Sequence, residues 1–201
     1  MQPDLKQVKP EDPPILPLWI NGHALLTLGQ DLHPVRDPQG LILRKLPLCG
    51  DDELAEAQRA ATAALAGWQA LHPPERQQHL RAVALLLQET RYNLHFIKLI
   101  REEYALDTEQ AELDVQASIA ALSMSVQKSS DAMASVSVLH VAPGESFSTS
   151  TARLANAVLG GNTVIILPAL TAPSALLALA ELCSRAGMAD GVVNLLYARS
   201  D

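Results

Sequence analysis

Residues 136–198 decide the fold, and they read VSVLHVAPGESFSTSTARLANAVLGGNTVIILPALTAPSALLALAELCSRAGMADGVVNLLYA. Apolar, partly β-branched runs at 136–141, 163–167 and 191–197 predict three strands. The segments between them predict helices, the second opening at Thr171-Ala172-Pro173 and ending before a glycine. Strands separated by helices of about ten or more residues pair in parallel, so the stretch predicts an α/β fold with an incomplete Rossmann-type parallel sheet flanked by helices.

Residues 51–127 predict an N-terminal helical region. Acidic residues at Asp51-Asp52-Glu53 suit the start of a helix, and the apolar residues after them recur at helical spacing from Leu54 to Trp68. A longer helical region begins at Pro73.

Leu94 is predicted to lie on the buried side of the helical region that begins at Pro73. A third helix begins at Asp107 and runs to about Gln127, and the polar segment 128–135 predicts a loop. Turn signals within 19–48 predict a small antiparallel β segment of two or three strands. Residues 1–17, rich in proline, predict a flexible arm ahead of one domain spanning 18–201.

Several strings in this order resemble the aldehyde dehydrogenase superfamily. LGGNTVII at 159–166 and GMADGVVN at 187–194 are similar to its cofactor-binding half, and WING at 19–22 followed by DPQG at 37–40 is similar to its opening β segment. The helix 51–68 and the string PPER at 73–76 match its first two helices, so the likeness covers nearly all of the chain. The resemblance implies a scaffold for NAD(P)-dependent aldehyde oxidation, here truncated to the cofactor-binding half.

The chain departs from that family where the family places its cofactor and oxyanion contacts. The oxyanion-binding Asn of the family falls on Gly144 or Glu145, neither of which supplies a side-chain donor there. The family's ribose-binding Lys and Glu fall on Leu167 and Leu170. Loss of these fixed hydrogen bonds predicts that no cofactor is required and that NAD(P) binds weakly at most.

No residue of the chain matches the family's catalytic cysteine, which the resemblance places past residue 201, so we expect no catalytic residue here. Cys49 and Cys183 fit neither that position nor a metal-ligand spacing and predict small buried hydrophobes. The six histidines show no paired spacing, so no metal site is expected; His140, near the end of a predicted strand, is the one placed where α/β folds bind ligands.

Three further polar groups have ordinary structural interpretations. The run Ser146 to Thr151 predicts helix capping more readily than a relic anion site, since neither a glycine-rich turn nor a lysine accompanies it. Glu145 is interpreted as a solvated loop acid, and Glu102-Glu103 as a solvated helix face. Arg153 and Arg185 are interpreted as surface charges.

Composition limits the partners and the compartment. The net charge of −7 and the lack of a basic cluster argue against nucleic acid and anionic membranes. A signal peptide and an apolar run long enough for a membrane span are not evident, which predicts a cytoplasmic protein.

Three functions stay open from the sequence. The first is a non-catalytic aldehyde dehydrogenase-like domain with a structural or oligomerisation role, similar to the vestigial C-terminal domain of long proline utilization proteins. The second is half of a split NAD(P)-dependent aldehyde dehydrogenase, and the third is a small-molecule sensing module. A sheet cut after three strands leaves the strand at 136–141 as an open edge, which predicts a homo-oligomer or a parent or partner enzyme domain, with another strand or the segment 19–48 covering that edge.

Overall fold

A computed structural model describes residues 12–27, 32–124 and 134–199. Its elements in chain order are β1 (Leu18–Ile20), β2 (His23–Leu25), β3 (Leu32–Arg36), β4 (Ile42–Pro47), α1 (Asp51–Ala70), α2 (Pro73–Gln88), α3 (Thr90–Tyr104), α4 (Thr108–Ser123), β5 (Val136–His140), α5 (Phe147–Leu159), β6 (Thr163–Leu167), α6 (Ser174–Arg185) and β7 (Val193–Leu195). The α/β fold with a Rossmann-type unit, a helical region and a small antiparallel segment is confirmed.

The main sheet has five strands in the order β2-β1-β7-β6-β5. The pairs β5–β6 and β6–β7 are parallel, in the register Val138 opposite Ile165 and Ile165 opposite Asn194. The right-handed crossover that is the rule for such units places α5 and α6 on one face, and α1, which contacts β5, β6 and β7, covers the other. Helices α2, α3 and α4 pack against α5 and α6 as a further layer. Both faces are covered, which explains the continuous burial of β6 and β7.

The β segment between residues 19 and 48 is divided between two sheets. Strand β1 pairs antiparallel with β7, Trp19 lying opposite Leu195, whereas β3 and β4 form a separate two-stranded sheet. The segment therefore extends the sheet on the side away from β5, so within one chain it does not cover the β5 edge. Within the predicted arm, the N–H of Leu16 donates to the carbonyl of Lys45, so this end of the arm is attached to β4.

The helical region differs from the prediction at particular residues. The backbone of Glu89 is extended, with ψ 133°, and divides the region that begins at Pro73 into α2 and α3. Leu94, predicted to be buried, is 61% exposed because this break changes which face of α3 meets the core. Leu54 is also exposed, while Trp68 is buried and donates from Nε1 to the carbonyl of Val158 on α5.

The loop and helix end predicted between residues 125 and 133 lie outside the described residues. Helix α4 ends at Ser123, with Met124 in an extended C-cap conformation. The third strand, predicted over 191–197, is limited to Val193–Leu195.

Candidate functional site

The turn after β5 lies at the carboxyl end of the parallel strands, where open α/β sheets bind ligands. Gly144 in this turn is exposed, has φ +82°, and a Cβ built on it would meet no atom within 4 Å. It therefore supplies a backbone turn and no side-chain donor at the position where the resemblance expects an asparagine.

Glu145, the alternative residue for that position, is held in an ion pair. Both of its carboxylate oxygens accept from Nη1 of Arg153 at 2.8 Å, and Oε1 also accepts from the Ser150 hydroxyl at 2.9 Å. Partial burial opposes ionisation, but the bonds from Arg153 and Ser150 outweigh it and lower the pKa of Glu145. The interpretation as a solvated loop acid is therefore wrong: Glu145 is an ionised, immobilised acceptor with a side chain 15% exposed.

The first turn of α5 is capped from within the chain. Ser146 is the N-cap residue and its hydroxyl accepts from the N–H of Thr149 at 3.2 Å, which confirms the capping prediction. The carboxylate of Asp114, on α4, accepts from the N–H groups of Phe147 at 3.1 Å and Ser148 at 3.0 Å. An internal carboxylate thus occupies the place where a phosphate would bind.

Sequence reasoning missed Asp114 because its partners lie more than thirty residues away in the chain. The only local signal is weak: aspartate is a poor residue for a helix interior unless its side chain has a partner elsewhere.

The two positions at which the resemblance expects ribose-binding residues are apolar and packed. Leu167 and Leu170 are half-buried against the hydrophobic core at the carboxyl end of β6. The carbonyl of Leu167 accepts from the N–H of Val141, which extends the pairing of β5 with β6. Neither side chain can donate or accept a hydrogen bond, so both bind only apolar neighbours.

The thiols are not activated. Burial raises the pKa of Cys183 to about 12, and burial followed by the charge of Glu53 raises the pKa of Cys49. A reactive thiol needs a lowered pKa, so neither residue fits a nucleophile. Among the described residues, no group of three or more His, Cys, Asp and Glu could hold a metal ion, and His140 is exposed.

Glu103 is buried and holds three elements together. Its carboxylate accepts from the N–H of Ser174 at 2.9 Å and from the Ser174 hydroxyl, and it pairs with Arg44 at 3.2 Å. The same guanidinium binds Glu102 at 2.6 Å. The side chain of Glu103 is 0% exposed and that of Glu102 is 29% exposed. The interpretation as a solvated helix face is therefore wrong for Glu103, which β4 and the N-terminus of α6 cover, whereas Glu102 stays partly exposed.

Burial raises the pKa of Glu103 to about 7, against the hydrogen bonds from Ser174 and the charge of Arg44. Because this pKa lies above the usual value, the folded protein holds the proton more tightly than the unfolded chain does. The free energy of unfolding should therefore fall by about 3 kcal/mol as pH rises from about 4.5 to about 7. Glu103→Gln should remove this part of the pH dependence in urea titrations between pH 4.5 and 8.

Glu102→Gln is the matched control, since it removes a carboxylate from the same guanidinium but one that stays in contact with water. It should keep the pH dependence of the unmodified protein. Identical pH dependence in Glu103→Gln and in the unmodified chain would contradict the burial argument.

A cavity of about 660 Å³ opens beside the turn after β5. It is lined by residues of α3, α4, the first turn of α5 and the loop before α6: Glu103, Tyr104, Leu106, Gln110, Leu113, Asp114, Ala117, Gly144, Ser146, Ser148, Thr171 and Ala172. Five of the residues already described therefore share one concave surface at the strand ends: Glu103, Asp114, Gly144, Ser146 and Ser148. Its volume falls in the range typical of small-molecule sites.

Comparison with known proteins identifies the family of the chain. A family model described as "Aldehyde dehydrogenase family" matches residues 27–201. The chain belongs to this family. A malonate-semialdehyde dehydrogenase of Pseudomonas aeruginosa is 27% identical over 197 residues, a match that covers 89% of this chain and 39% of that protein.

Two solved structures share the fold. Lactaldehyde dehydrogenase from Escherichia coli superposes with a TM-score of 0.81 at 23% identity, covering 94% of this chain and 43% of that one. Proline utilization A from Bdellovibrio bacteriovorus superposes with a TM-score of 0.80 at 17% identity, covering 92% of this chain and 21% of that one. The present family domain thus spans about 40% of the length of its aldehyde dehydrogenase relatives. Among its described residues, no helix combines the length and apolar character needed to cross a membrane.

Proposed function

We propose that this aldehyde dehydrogenase-family domain is non-catalytic and has a structural role. The observation that carries the proposal is the pair Leu167 and Leu170, which pack against the core where the family binds the adenosine ribose. A dinucleotide placed there would have its ribose hydroxyls removed from water beside two side chains that cannot replace the lost hydrogen bonds. Each such loss weakens binding by about 1 to 3 kcal/mol.

The turn after β5 supports the same proposal. A developing oxyanion is stabilised by a preorganised donor, and Gly144 has none in its side chain. Glu145 would place a negative charge beside that oxyanion, since its bonds to Arg153 and Ser150 keep the carboxylate ionised. The turn therefore disfavours the negative charge that develops on the aldehyde oxygen during oxidation.

We expect no NADH formation by this chain with aldehyde substrates, and NAD binding weaker than about 1 mM, or ~4 kcal/mol. The double variant Leu167→Lys with Leu170→Glu should strengthen NAD binding, because it returns the ribose partners to the end of β6. Calorimetry on both proteins measures the difference. The single variant Leu85→Lys is a control that adds an exposed lysine on α2, away from the cavity and without a ribose partner.

Micromolar NAD binding by the unmodified chain would contradict the proposal. NADH formed only after mixing with a separately expressed remainder of a relative would favour half of a split NAD(P)-dependent enzyme instead.

The edge of the sheet supports an oligomerisation role. Among the described residues, β5 pairs only with β6, and its Val138 is 48% exposed. Its free edge carries unpaired backbone groups, which recruit another strand. We propose that a second copy or a partner enzyme domain covers this edge, with more than about 1,000 Å² buried.

Val138→Lys should disrupt this assembly, because a charge on an edge strand opposes strand pairing. Sedimentation velocity should show an oligomer for the unmodified chain and a monomer for Val138→Lys. Leu85→Lys, which replaces an apolar residue 64% exposed on α2, is the matched control and should stay oligomeric. A monomeric unmodified chain at tens of micromolar would contradict self-assembly.

A small-molecule sensing module is the second candidate function, and the cavity at the strand ends favours it. The cavity combines polar groups from Gln110, Ser146 and Thr171 with the apolar surface of Leu106 and Ala117. Few polar groups on a mostly apolar concave surface are typical of ligand sites.

A further inference from the structure

The charged residues that line the cavity at the strand ends all have the same sign. Among the described residues, its lining includes the carboxylates Glu103 and Asp114 and contains no Lys, Arg or His. The wall formed by residues 106–123 adds Asp107, Glu109 and Glu112, again with no basic residue. Two acidic residues therefore line the cavity, and three more follow one another closely on or next to α4.

Two arginines form ion pairs beside the cavity without lining it. Arg44 binds Glu103 from β4, and Arg153 binds Glu145 from α5; neither arginine lines the cavity. Asp114 is stabilised by two backbone N–H groups, which leave its formal charge in place. A cavity with low-dielectric walls and charges of one sign focuses the electrostatic potential into its interior.

Tyr104 adds an aromatic surface to the same lining. Burial, followed by the charges of Glu103, Asp114 and Glu145, raises the pKa of its phenol, so the hydroxyl stays neutral. An electron-rich ring attracts a cation placed over its face, by about 0.5 to 2 kcal/mol. The ring and the carboxylates therefore favour the same kind of ligand.

Apolar side chains complete the lining. Leu106, Leu113 and Ala117 form one side of the cavity, and Leu113 is 63% exposed at its mouth. A ligand that fits must therefore carry a hydrocarbon part as well as a charge. Inorganic cations gain nothing from this apolar surface, so it favours a cation with a hydrocarbon part.

We propose that the cavity binds an organic cation, an amine with an aliphatic or aromatic body, with the ammonium group toward Asp114 and Tyr104. This inference rests on the second candidate function, since it names the ligand class of that cavity. The carboxylate of Asp114 selects the ammonium, since Arg44 balances the charge of Glu103, and Leu106 and Leu113 contact the hydrocarbon part.

Three probes share a six-carbon chain and differ in the charge of the head group: hexylamine, hexan-1-ol and hexanoate. They therefore distinguish the effect of charge on binding from the effect of shape. Calorimetry at pH 8 and low salt should show hexylamine binding about tenfold more tightly than hexan-1-ol, the difference expected for one partly desolvated charge interaction of about 1.4 kcal/mol. Hexanoate should bind most weakly of the three.

Ala117→Lys tests the site, because it places an ammonium on the lining at an exposed position of α4 where lysine is a good helix former. It should weaken hexylamine binding about tenfold and strengthen hexanoate binding. Gln116→Lys adds the same charge at a neighbouring exposed residue that does not line the cavity, and it should change either affinity less than about threefold.

The outcomes distinguish the proposed selection of a cation from the existence of a ligand site in the cavity. Equal binding of hexylamine and hexan-1-ol overturns the selection of a cation while the cavity remains a ligand site. No binding of any probe below about 10 mM overturns both. Equal effects of Ala117→Lys and Gln116→Lys place the charge selection outside this cavity and overturn the proposed site.

Discussion

Replacing Gly191 with alanine should destabilise the fold by more than about 4 kcal/mol, which few single substitutions do. Gly191 has φ +83°, and a Cβ on it would lie 2.5 Å from the carbonyl oxygen of Ala60 on α1. The left-handed backbone accounts for about 1 to 2 kcal/mol. The larger contribution comes from the contact, because the neighbouring atom is backbone and α1 must move away from the buried sheet to relieve it.

Gly187→Ala isolates the contact from the backbone strain. Gly187 also has φ +83°, but a Cβ on it would meet no atom within 4 Å. Urea titrations should therefore show a loss of about 1 to 2 kcal/mol for Gly187→Ala and a much larger loss, or no folded protein, for Gly191→Ala. Similar losses in the two variants would show that α1 is not fixed against the sheet at Ala60.

The parallel strands could be predicted closely because their signal is local. The run predicted at 163–167 coincides with β6, and that predicted at 136–141 differs from β5 by one residue. Such strands are covered on both faces, so every position along them favours apolar residues. The helix break at Glu89 had no such signal, since no glycine or proline lies between α2 and α3.

The features that the sequence did not reveal depend on contacts between distant residues. Trp19 pairs with Leu195 through a sheet that only the complete fold brings together. Glu102 and Glu103 resemble any exposed acidic pair until Arg44 and Ser174 are placed against them. Asp114 likewise acquires its role from the first turn of α5. Local periodicity identifies the elements, whereas burial of a charged side chain depends on what packs over it.

Arg76→Met should destabilise the protein by about 3 to 5 kcal/mol. Arg76 is 8% exposed, and its Nε donates to the carbonyl of Leu159 at 2.9 Å while Nη1 donates to that of Leu71 at 2.8 Å. It therefore joins the C-terminal ends of α5 and α1. Each hydrogen bond from a charged donor contributes about 1.5 to 3 kcal/mol, and its removal leaves a carbonyl without a partner.

An opposing effect must be weighed, because burial lowers the pKa of Arg76 and opposes its charged form. Replacing a buried charge by an apolar group can be neutral when both partners are replaced together. Methionine removes only the donor and leaves the carbonyls at the two helix ends without it. The loss of these hydrogen bonds should therefore outweigh the gain from no longer burying a charge. Arg81→Met, at an exposed position of α2, is the matched control and should change the free energy of unfolding by less than about 0.5 kcal/mol. The loss of stability in Arg76→Lys should lie between those of Arg76→Met and Arg81→Met, since a single ammonium keeps the charge but cannot reproduce the planar set of donors. A loss below about 1 kcal/mol for Arg76→Met in urea titrations would mean that water replaces the guanidinium at both helix ends.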